Sequence, residues 1–363
     1  MVIQHSIRII YLGKKGGGLS LLEDILANID PQTRSFELWL SSTLNLEEIN
    51  LSGNYKKTYL FSPRNLNELL CPRTLFFGLI NLTKVFFSKN AQLNIFIMPS
   101  PFDWIYYRLL RIKKQNIATC LHDLESHPGE RWPTLGSTLF RLRLSDTIIV
   151  FSRYIASELR LRTTKDIFLA NLPTNLQSAG QLDSDVKLLI QTMRSSKLPV
   201  VLLIGRQRRY KDVESFQQLA QDFQETALFI IAGEGFIEES NKSKVVVVNR
   251  WLSNSEFMQL IENSDILFFP YSEASQSGNI PLAISKKKII VATSQPGLME
   301  QLSHYPLKVI YDRRNSKNIT LAFAEAITIY RNSANLDQDI FRDHTNPLPK
   351  VTEVIELILE KGA

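Results

Sequence analysis

Short apolar runs alternate with segments of helical length along this chain. The runs fall at residues 7–12, 36–40, 94–98, 117–121 and 147–151, and then at residues 200–204, 227–232, 244–248, 266–269 and 288–292. Amphipathic helices are predicted at residues 19–29, 213–223, 254–263, 318–330 and 351–360. Continuous apolar strands separated by helices are typical of parallel sheets, whose strands are buried on both faces. The pattern therefore predicts an α/β fold.

A polar stretch at residues 171–185 interrupts this pattern. It is rich in Asn, Gln, Ser, Pro and Asp and has little apolar periodicity, as linkers do. With 363 residues in the chain, it predicts two doubly wound Rossmann-like domains, residues 1–172 and 186–345. Residues 346–363 are expected to form a C-terminal helix that packs back on the N-terminal domain. Because such sheets bind ligands at the carboxyl ends of their strands, the two domains should face each other across a cleft.

Composition is that of an ordinary globular protein, with 44% apolar and 21% charged residues. The net charge of +6 suits an anionic partner such as a phosphorylated ligand or a membrane surface, and equally a soluble basic protein without one. Cys71 and Cys120 form no CxxC pair, which argues against a disulfide scaffold or a zinc cage. The N-terminus lacks signal-peptide features, and no run approaches the ~20 apolar residues of a membrane span. We expect a cytoplasmic protein.

A glycine-rich loop at residues 13–18 follows the first predicted strand. Gly17 and Gly18 would allow the backbone to approach a phosphate or a sugar hydroxyl at the start of a helix. The spacing matches no named nucleotide-binding motif, so a plain turn between strand and helix is the alternative.

The loop at residues 120–130 follows another strand and is crowded with ionisable side chains. His122 can orient or protonate a reacting group near neutral pH. Asp123 and His127 are further candidates for site residues in this loop. Two histidines without a clear third ligand make a poor zinc site, and a polar surface loop is the alternative.

Four cations lie within residues 206–211, directly after the first strand of the second half. Arg206 and Lys211 are expected to bind phosphate oxygens, whereas Arg208 and Arg209 are expected to be exposed. The alternative is a solvated basic loop.

Weaker candidates lie after three strands, one of which also precedes the basic run. Gly205 and Gly233 would keep the backbone close to a nucleotide, and Trp251 or Leu252 could contact its base. A plain turn and a buried core tryptophan are the alternatives.

The loop at residues 270–281 supplies small residues and consecutive backbone N–H groups that lead into a helix. This arrangement predicts an anion-binding nest. The residues expected to contact a bound phosphate ligand there are Gln276, Ser277, Gly278 and Asn279. Glu273 adds a carboxylate that could accept hydrogen bonds from sugar hydroxyls. A loop with serine caps is the alternative.

The order and spacing of these motifs resemble one family. The matching segments are Gly205-Arg206 with Lys211, Gly233-Glu234-Gly235, Trp251, Pro270-Tyr271-Ser272-Glu273, Gln276-Ser277-Gly278 and Gly297-Leu298-Met299-Glu300. Over residues 200–302, and more loosely over the first half, the chain resembles glycosyltransferases of GT-B fold in the large retaining family 4.

The resemblance implies roles for particular residues. Arg206 and Lys211 would clamp the donor diphosphate, the backbone of Ser277-Gly278-Asn279 would bind its phosphates, and His122 and Glu273 would hold the transferred sugar.

One position departs from the family pattern. The family commonly carries a second glutamate later in this loop that binds the ribose, and Pro281 and Leu282 stand there instead. The chain is similar to a Gln-Ser-Gly variant of the family, which leaves recognition of the ribose unassigned.

The implied activity is retaining transfer of a sugar from a UDP- or GDP-linked donor to a glycan or polyprenyl-linked acceptor, in polysaccharide or glycoconjugate synthesis. No cofactor besides the nucleotide sugar and no metal ion is expected, because Asp183-Ser184-Asp185 and Asp337-Gln338-Asp339 do not follow predicted strands. No nucleic acid is expected, because no recognised RNA-binding motif is present. A GT-B epimerase or phosphorylase and a catalytically inactive basic binding or partner subunit stay open as alternatives.

Two segments of the first half could contact an anionic membrane surface. Residues 103–115 mix aromatic with basic side chains, and residues 74–89 are strongly apolar with a few lysines. The alternative is a pair of amphipathic core helices with basic outer faces.

Overall fold

The structure is a computed structural model of the chain and describes residues 6–13, 16–29, 35–44, 55–62, 72–101, 103–125, 133–176, 181–235, 245–315, 317–332 and 348–361. The chain divides into two units. The first comprises residues 1–126, 130–172 and 348–363, and the second comprises residues 127–129 and 173–347.

Among the described residues, seven parallel strands form the sheet of the first unit. They are β1 (Ser6–Tyr11), β2 (Ser35–Ser41), β3 (Lys56–Leu60), β4 (Leu93–Phe96), β5 (Ile117–Leu121), β6 (Thr147–Val150) and β7 (Asp166–Leu169). Their order in the sheet is β3-β2-β1-β4-β5-β6-β7. The order reverses beside β1, as in doubly wound folds.

The second unit repeats this arrangement with six parallel strands in the described part of the chain. They are β8 (Val200–Ile204), β9 (Leu228–Ala232), β10 (Val245–Val248), β11 (Ile266–Phe269), β12 (Ile289–Thr293) and β13 (Lys308–Tyr311). Their order is β10-β9-β8-β11-β12-β13, so that β8 and β11 lie side by side at the reversal. Such a reversal creates the crevice in which these sheets bind ligands.

Helices alternate with the strands in both units. The first unit contains α1 (Gly17–Asn28), α2 (Pro72–Phe87), α3 (Asp103–Ile112), α4 (Leu135–Leu144), α5 (Arg153–Arg160) and α12 (Val351–Lys361). The second contains α6 (Ser184–Ser195), α7 (Val213–Asp222), α8 (Asn254–Glu262), α9 (Asn279–Ser285), α10 (Pro296–Gln301) and α11 (Lys317–Asn332). No described helix is long and apolar enough to cross a membrane.

The C-terminal helix α12 belongs to the first unit. Its residues Val351, Val354 and Ile355 are buried in the hydrophobic cluster that β1 and α1 also line. The backbone N–H of Asn171 donates a hydrogen bond to the carbonyl of Pro349 (2.8 Å), which fixes the chain just before the helix begins.

Each apolar run predicted as a strand forms one, with bounds that differ by at most two residues. The pattern does not predict β3, β7 and β13, and all three lie at the edge of a sheet. An edge strand has a neighbour on one side only and tolerates exposed polar side chains, so it need not be a continuous apolar run. β3, for example, reads Lys56-Lys57-Thr58-Tyr59-Leu60, and of these Leu60 is buried.

Candidate functional site

The turns after β8 and β9 touch each other through two glycines. Gly205 and Gly233 have φ angles of +106° and +134°, which favour glycine. A Cβ atom on Gly233 would lie 2.2 Å from the carbonyl oxygen of Gly205. A larger residue at position 233 would therefore displace the turn after β8.

Lys211 and Asn279 meet at this turn. A Cβ atom on Gly205 would lie 3.1 Å from Nζ of Lys211 and 2.9 Å from Nδ2 of Asn279. Nδ2 of Asn279 also donates a hydrogen bond to the carbonyl of Ile204 (2.8 Å). The loop after β8 and the start of α9 thus converge at the carboxyl ends of two neighbouring strands, where open α/β sheets bind ligands.

The side chain of Lys211 is held in place by an aromatic ring. Lys211 is 6% exposed, and its ammonium lies 5.4 Å from the centre of the Tyr271 ring, a cation–π distance. Burial raises the pKa of the Tyr271 hydroxyl well above its ordinary value, although a hydrogen bond with Ser277 opposes the shift. The phenol is therefore neutral near pH 7, and the positive charge of Lys211 is positioned at the strand ends.

Arg206 and Gln207 follow Gly205 and have different surroundings. Nε of Arg206 lies 3.9 Å from Oε2 of Glu234, and both side chains are about half exposed. Gln207 is buried, and its Nε2 donates a hydrogen bond to the carbonyl of Gly205 (2.7 Å). Gln207 supports the turn, and nothing in the basic run around it marks it as a structural residue.

Hydrogen bonds from α10 hold the loop at residues 270–281. The N–H of Ser277 donates to Oε1 of Gln301 (2.8 Å), and Nε2 of Gln301 donates to the carbonyl of Ser277 (3.0 Å). The Ser277 amide is therefore bonded within the protein, and the N–H of Asn279 donates to the Ser277 hydroxyl (3.4 Å). The phosphate contact predicted for this backbone thus rests on Gly278. Gln301 is not among the predicted site residues, because a glutamine at the end of a helix carries no signal of its own.

A second contact brings α10 close to the same loop. A Cβ atom on Gly297 would lie 2.0 Å from the carbonyl oxygen of Ser275, so only glycine permits this approach. Glu273 and Gln276 are partly exposed on the loop, and a Cβ atom on Gly278 would meet nothing within 4 Å. The space next to the Cα atom of Gly278 is therefore open.

Trp251 and Leu252 follow β10 but have different exposures. Leu252 is buried in the hydrophobic core of the second unit, whereas Trp251 is 37% exposed. The guanidinium of Arg250 donates to the carbonyl of Trp251 (3.0 Å) and fixes this backbone. Of the two residues predicted to contact a base, Trp251 has the accessible side chain.

Asp183, Asp185 and Glu256 are the acidic residues that the described part of the chain brings close enough to hold a cation. Nη2 of Arg250 lies among them, 3.3, 2.7 and 2.6 Å from the respective carboxylates. The hydrogen bond from Arg250 lowers the pKa of Asp185 below its ordinary value. The cluster is an ion-pair network at the starts of α6 and α8, and none of its three carboxylates follows a strand.

In the first unit, His122 and Asp123 directly follow β5. The His122 ring stacks on Phe151, with 4.6 Å between ring centres, and hydrogen-bonds the backbone of Ile97. Burial lowers the pKa of His122, and the nearby Asp123 carboxylate and the Ile97 hydrogen bond oppose this shift. The imidazole is therefore neutral at neutral pH, and its position at a strand end is the one predicted. His127 and Asp337-Gln338-Asp339 lie outside the described residues.

The glycines in the glycine-rich loop of the first unit have different conformations and surroundings. Gly16, with φ +99°, is the N-cap of α1, a role that is not among the predicted ones. A Cβ atom on Gly18 would lie 2.3 Å from Sδ of Met98 and 2.9 Å from the ring of Tyr11, so Gly18 is needed for packing. A Cβ atom on Gly17 would meet nothing within 4 Å. Of the two predicted glycines, Gly17 is the one whose surroundings are open.

No protein-family profile and no curated protein sequence matches the chain. Solved structures match it over nearly its whole length. HepE of Anabaena, in complex with UDP and glucose, is 14% identical, with 99% of this chain and 100% of that chain covered and a TM-score of 0.72. The chain has the GT-B fold. This confirms the predicted fold class.

Two further structures support the same fold. Sucrose-phosphate synthase of Thermosynechococcus elongatus is 13% identical, with 99% of this chain and 98% of that chain covered and a TM-score of 0.68. UDP-GlcNAc 2-epimerase of Methanocaldococcus jannaschii is 12% identical, with 98% and 99% covered and a TM-score of 0.63. GT-B glycosyltransferases are thus among the structural neighbours.

The predicted site residues divide between the two units of the GT-B fold. The first unit holds Gly17, Gly18, His122 and Asp123, and the second holds Gly205, Arg206, Lys211, Gly233, Trp251, Leu252, Glu273, Gln276, Ser277, Gly278 and Asn279. Within the second unit, Gly205, Gly233, Lys211 and Asn279 come together at the ends of β8, β9 and β11. These four residues form the best-defined part of the candidate site.

Proposed function

We propose that the protein is a retaining, metal-independent glycosyltransferase of family 4 type. It moves a sugar from a UDP- or GDP-linked donor to a glycan or polyprenyl-linked acceptor in polysaccharide or glycoconjugate synthesis. One observation carries the proposal: Lys211 and Asn279 converge over the backbone of Gly205 at the carboxyl ends of β8 and β11. HepE, a structural neighbour whose crystal structure contains UDP and glucose, supports a nucleotide sugar as the ligand.

In the proposed reaction, the site must stabilise the leaving group. The bond from the sugar to the diphosphate breaks, the acceptor oxygen bonds to the same face of the sugar, and the acceptor proton leaves with the diphosphate. The departing diphosphate gains negative charge, which Lys211 and Arg206 would stabilise in place of a metal ion. Because these cations belong to the protein, chelators should leave the activity unchanged.

The remaining predicted residues have roles around the donor. Trp251 would stack on the base, and Glu273 and neutral His122 would hydrogen-bond the sugar. Asp123 and His127 would face the acceptor. The buried thiol of Cys120 suits a reducing compartment, and we place the protein in the cytoplasm.

A ligand-dependent thermal melt tests the donor assignment. UDP or GDP, with their sugars, should raise the melting temperature, since a ligand that binds the folded state stabilises it. Transfer to an acceptor in the presence of EDTA then tests the reaction. If no nucleotide stabilises the protein, the glycosyltransferase proposal is wrong.

The structural likeness to a UDP-GlcNAc 2-epimerase supports a second candidate, a GT-B epimerase, and a phosphorylase belongs to the same alternative. Incubation with a nucleotide sugar and no acceptor distinguishes it, because an epimerase changes the sugar without one. The third candidate is a catalytically inactive partner subunit, for which the absent second glutamate at Pro281 is the argument. It would bind nucleotide weakly or not at all and produce no product.

A further inference from the structure

The outward face of α2 is apolar. Phe76, Leu79 and Phe86 are 48–62% exposed and Phe87 is 81% exposed. Their helical spacing places them on one face, while Val85 on the other side is buried in the core. A surface helix normally exposes polar residues to solvent, whereas α2 exposes large apolar ones. Exposed apolar patches of this kind mark interaction sites.

The neighbouring helix α3 extends this face. α2 and α3 pack against each other and line the same hydrophobic cluster on one side of the sheet. From α3, Trp104 and Ile112 are exposed, and the guanidinium of Arg108 lies 5.7 Å from the centre of the Trp104 ring. From α3, Trp104 and Arg108 thus add an aromatic and a basic side chain to the exposed surface.

A basic pocket adjoins the end of α2. The pocket has a volume of about 420 Å³ and lies between β3 and α2. Lysines 56, 57 and 84 line it together with Phe87, so it is continuous with the apolar face. Its acid, Glu37, is paired with Arg8 (2.8 Å) and Lys56 (2.9 Å). Lys57 and Lys84 add positive charge at the rim, and α2 itself carries no acidic residue.

We propose that this surface, consisting of the outward face of α2 and the lysine-lined pocket, docks the first unit on a lipid bilayer that contains anionic phospholipids. Phe86 and Phe87 enter the interfacial region, and Lys57 and Lys84 contact the lipid headgroups. Apolar side chains flanked by lysines are the combination that binds such interfaces.

Charge argues against a second copy of the chain as the occupant. A twofold contact places the same patch of both copies face to face. Lys57 and Lys84 of one copy would then approach the same lysines of the other, with no acid in α2 to compensate them. An anionic bilayer neutralises these charges and also accepts the phenylalanines.

Vesicle flotation tests the proposal. The full chain is floated with vesicles of phosphatidylcholine alone and with vesicles that also contain phosphatidylserine. The apolar variant is Leu79→Ser with Phe87→Ser, and the charge variant is Lys57→Glu with Lys84→Glu. Leu161→Ser, at a side chain 82% exposed outside the surface, and Lys187→Glu, on α6, are the matched controls.

The wild type should float with the phosphatidylserine vesicles, and each double variant should reduce the bound fraction about tenfold or more. Both controls should float like the wild type. Nucleotide stabilisation should stay unchanged in all variants, which separates this surface from the donor site. Three results would overturn the proposal: no flotation of the wild type, equal flotation of the double variants, or a dimer in sedimentation that Leu79→Ser with Phe87→Ser dissociates.

Discussion

The side chain of Gln301 pairs with both the N–H and the carbonyl of Ser277, at 2.8 and 3.0 Å. One amide thereby satisfies two backbone groups of a loop, and it does so from α10. The loop that we expect to hold the donor phosphates is thus shaped by a residue that need not touch the donor. Gln301 is a positioning residue in this account.

Replacing Gln301 by Ala should mainly lower stability, whereas replacing it by Glu should mainly weaken nucleotide binding. Gln301→Ala leaves the Ser277 amide without its partner and should lower the free energy of unfolding by about 1–2 kcal/mol. Gln301→Glu can still accept from that amide, but its carboxylate adds negative charge behind the phosphate loop. We expect this variant to weaken UDP binding about tenfold, measured by calorimetry.

The matched control is Gln218→Ala, because Gln218 donates to Asp222 on the exposed surface of α7. It should change neither stability nor binding. Equal UDP affinity in Gln301→Glu and the wild type would show that this pairing does not position the site.

Alanine at two glycines of the site should have different effects: it should lower stability at Gly233 and weaken nucleotide binding at Gly278. Gly233→Ala combines a positive φ with a contact of 2.2 Å to the Gly205 carbonyl, so it should cost about 3 kcal/mol or more of stability. A Cβ at Gly278 meets nothing within 4 Å, so Gly278→Ala should leave the melting temperature unchanged and weaken nucleotide binding. Gly136→Ala, in open surroundings on α4, controls for the substitution itself. Melts with and without UDP measure both effects, and tight UDP binding by Gly278→Ala would contradict the predicted phosphate contact.

The edge strands show how much of the fold the sequence predicts. Strands buried on both faces, such as β8 and β11, are continuous apolar runs, and their number and order predict two parallel sheets. β3 lies at an edge and is largely exposed, and its polar residues conceal it. β7, also at an edge, offers only three apolar residues after Asp166. β10 is also an edge strand but was predictable because it consists of four valines.

The candidate site was predictable where chemistry and strand ends coincide. Lys211 and Asn279 follow strands and carry polar groups, so sequence alone places them together. Gly18 is predicted as a ligand-binding glycine and also packs against Met98, a contact that the sequence does not reveal because the two residues are distant along the chain. Gln301 was missed for the same reason, because its partner Ser277 lies on another element.

Lys211 should be essential for transfer but not for folding. Lys211→Met keeps the length of a side chain that is 6% exposed, and replacing a buried charge with an apolar group of similar size is often neutral for stability. We expect kcat/KM to fall about 10²–10³-fold, the cost of removing one group that stabilises developing charge. Arg206→Ala should show the same loss with an unchanged melting temperature. Arg209→Met, at an exposed neighbour, is the control, and full activity of Lys211→Met would refute the diphosphate clamp.

His122 should make stability depend on pH. Burial lowers the pKa of His122 below its ordinary value of 6.5, although Asp123 and the Ile97 hydrogen bond limit the shift. Below pH 6.5 the unfolded chain binds a proton more readily than the native chain. The stability is therefore full above pH 6.5 and declines as the pH falls from there toward the pKa in the folded protein. His122→Phe keeps an aromatic ring against Phe151 and removes the titration, so its melting temperature should decline less between about pH 7 and about pH 5. Exposed His304→Gln is the control, and parallel declines in all three proteins would contradict the burial argument.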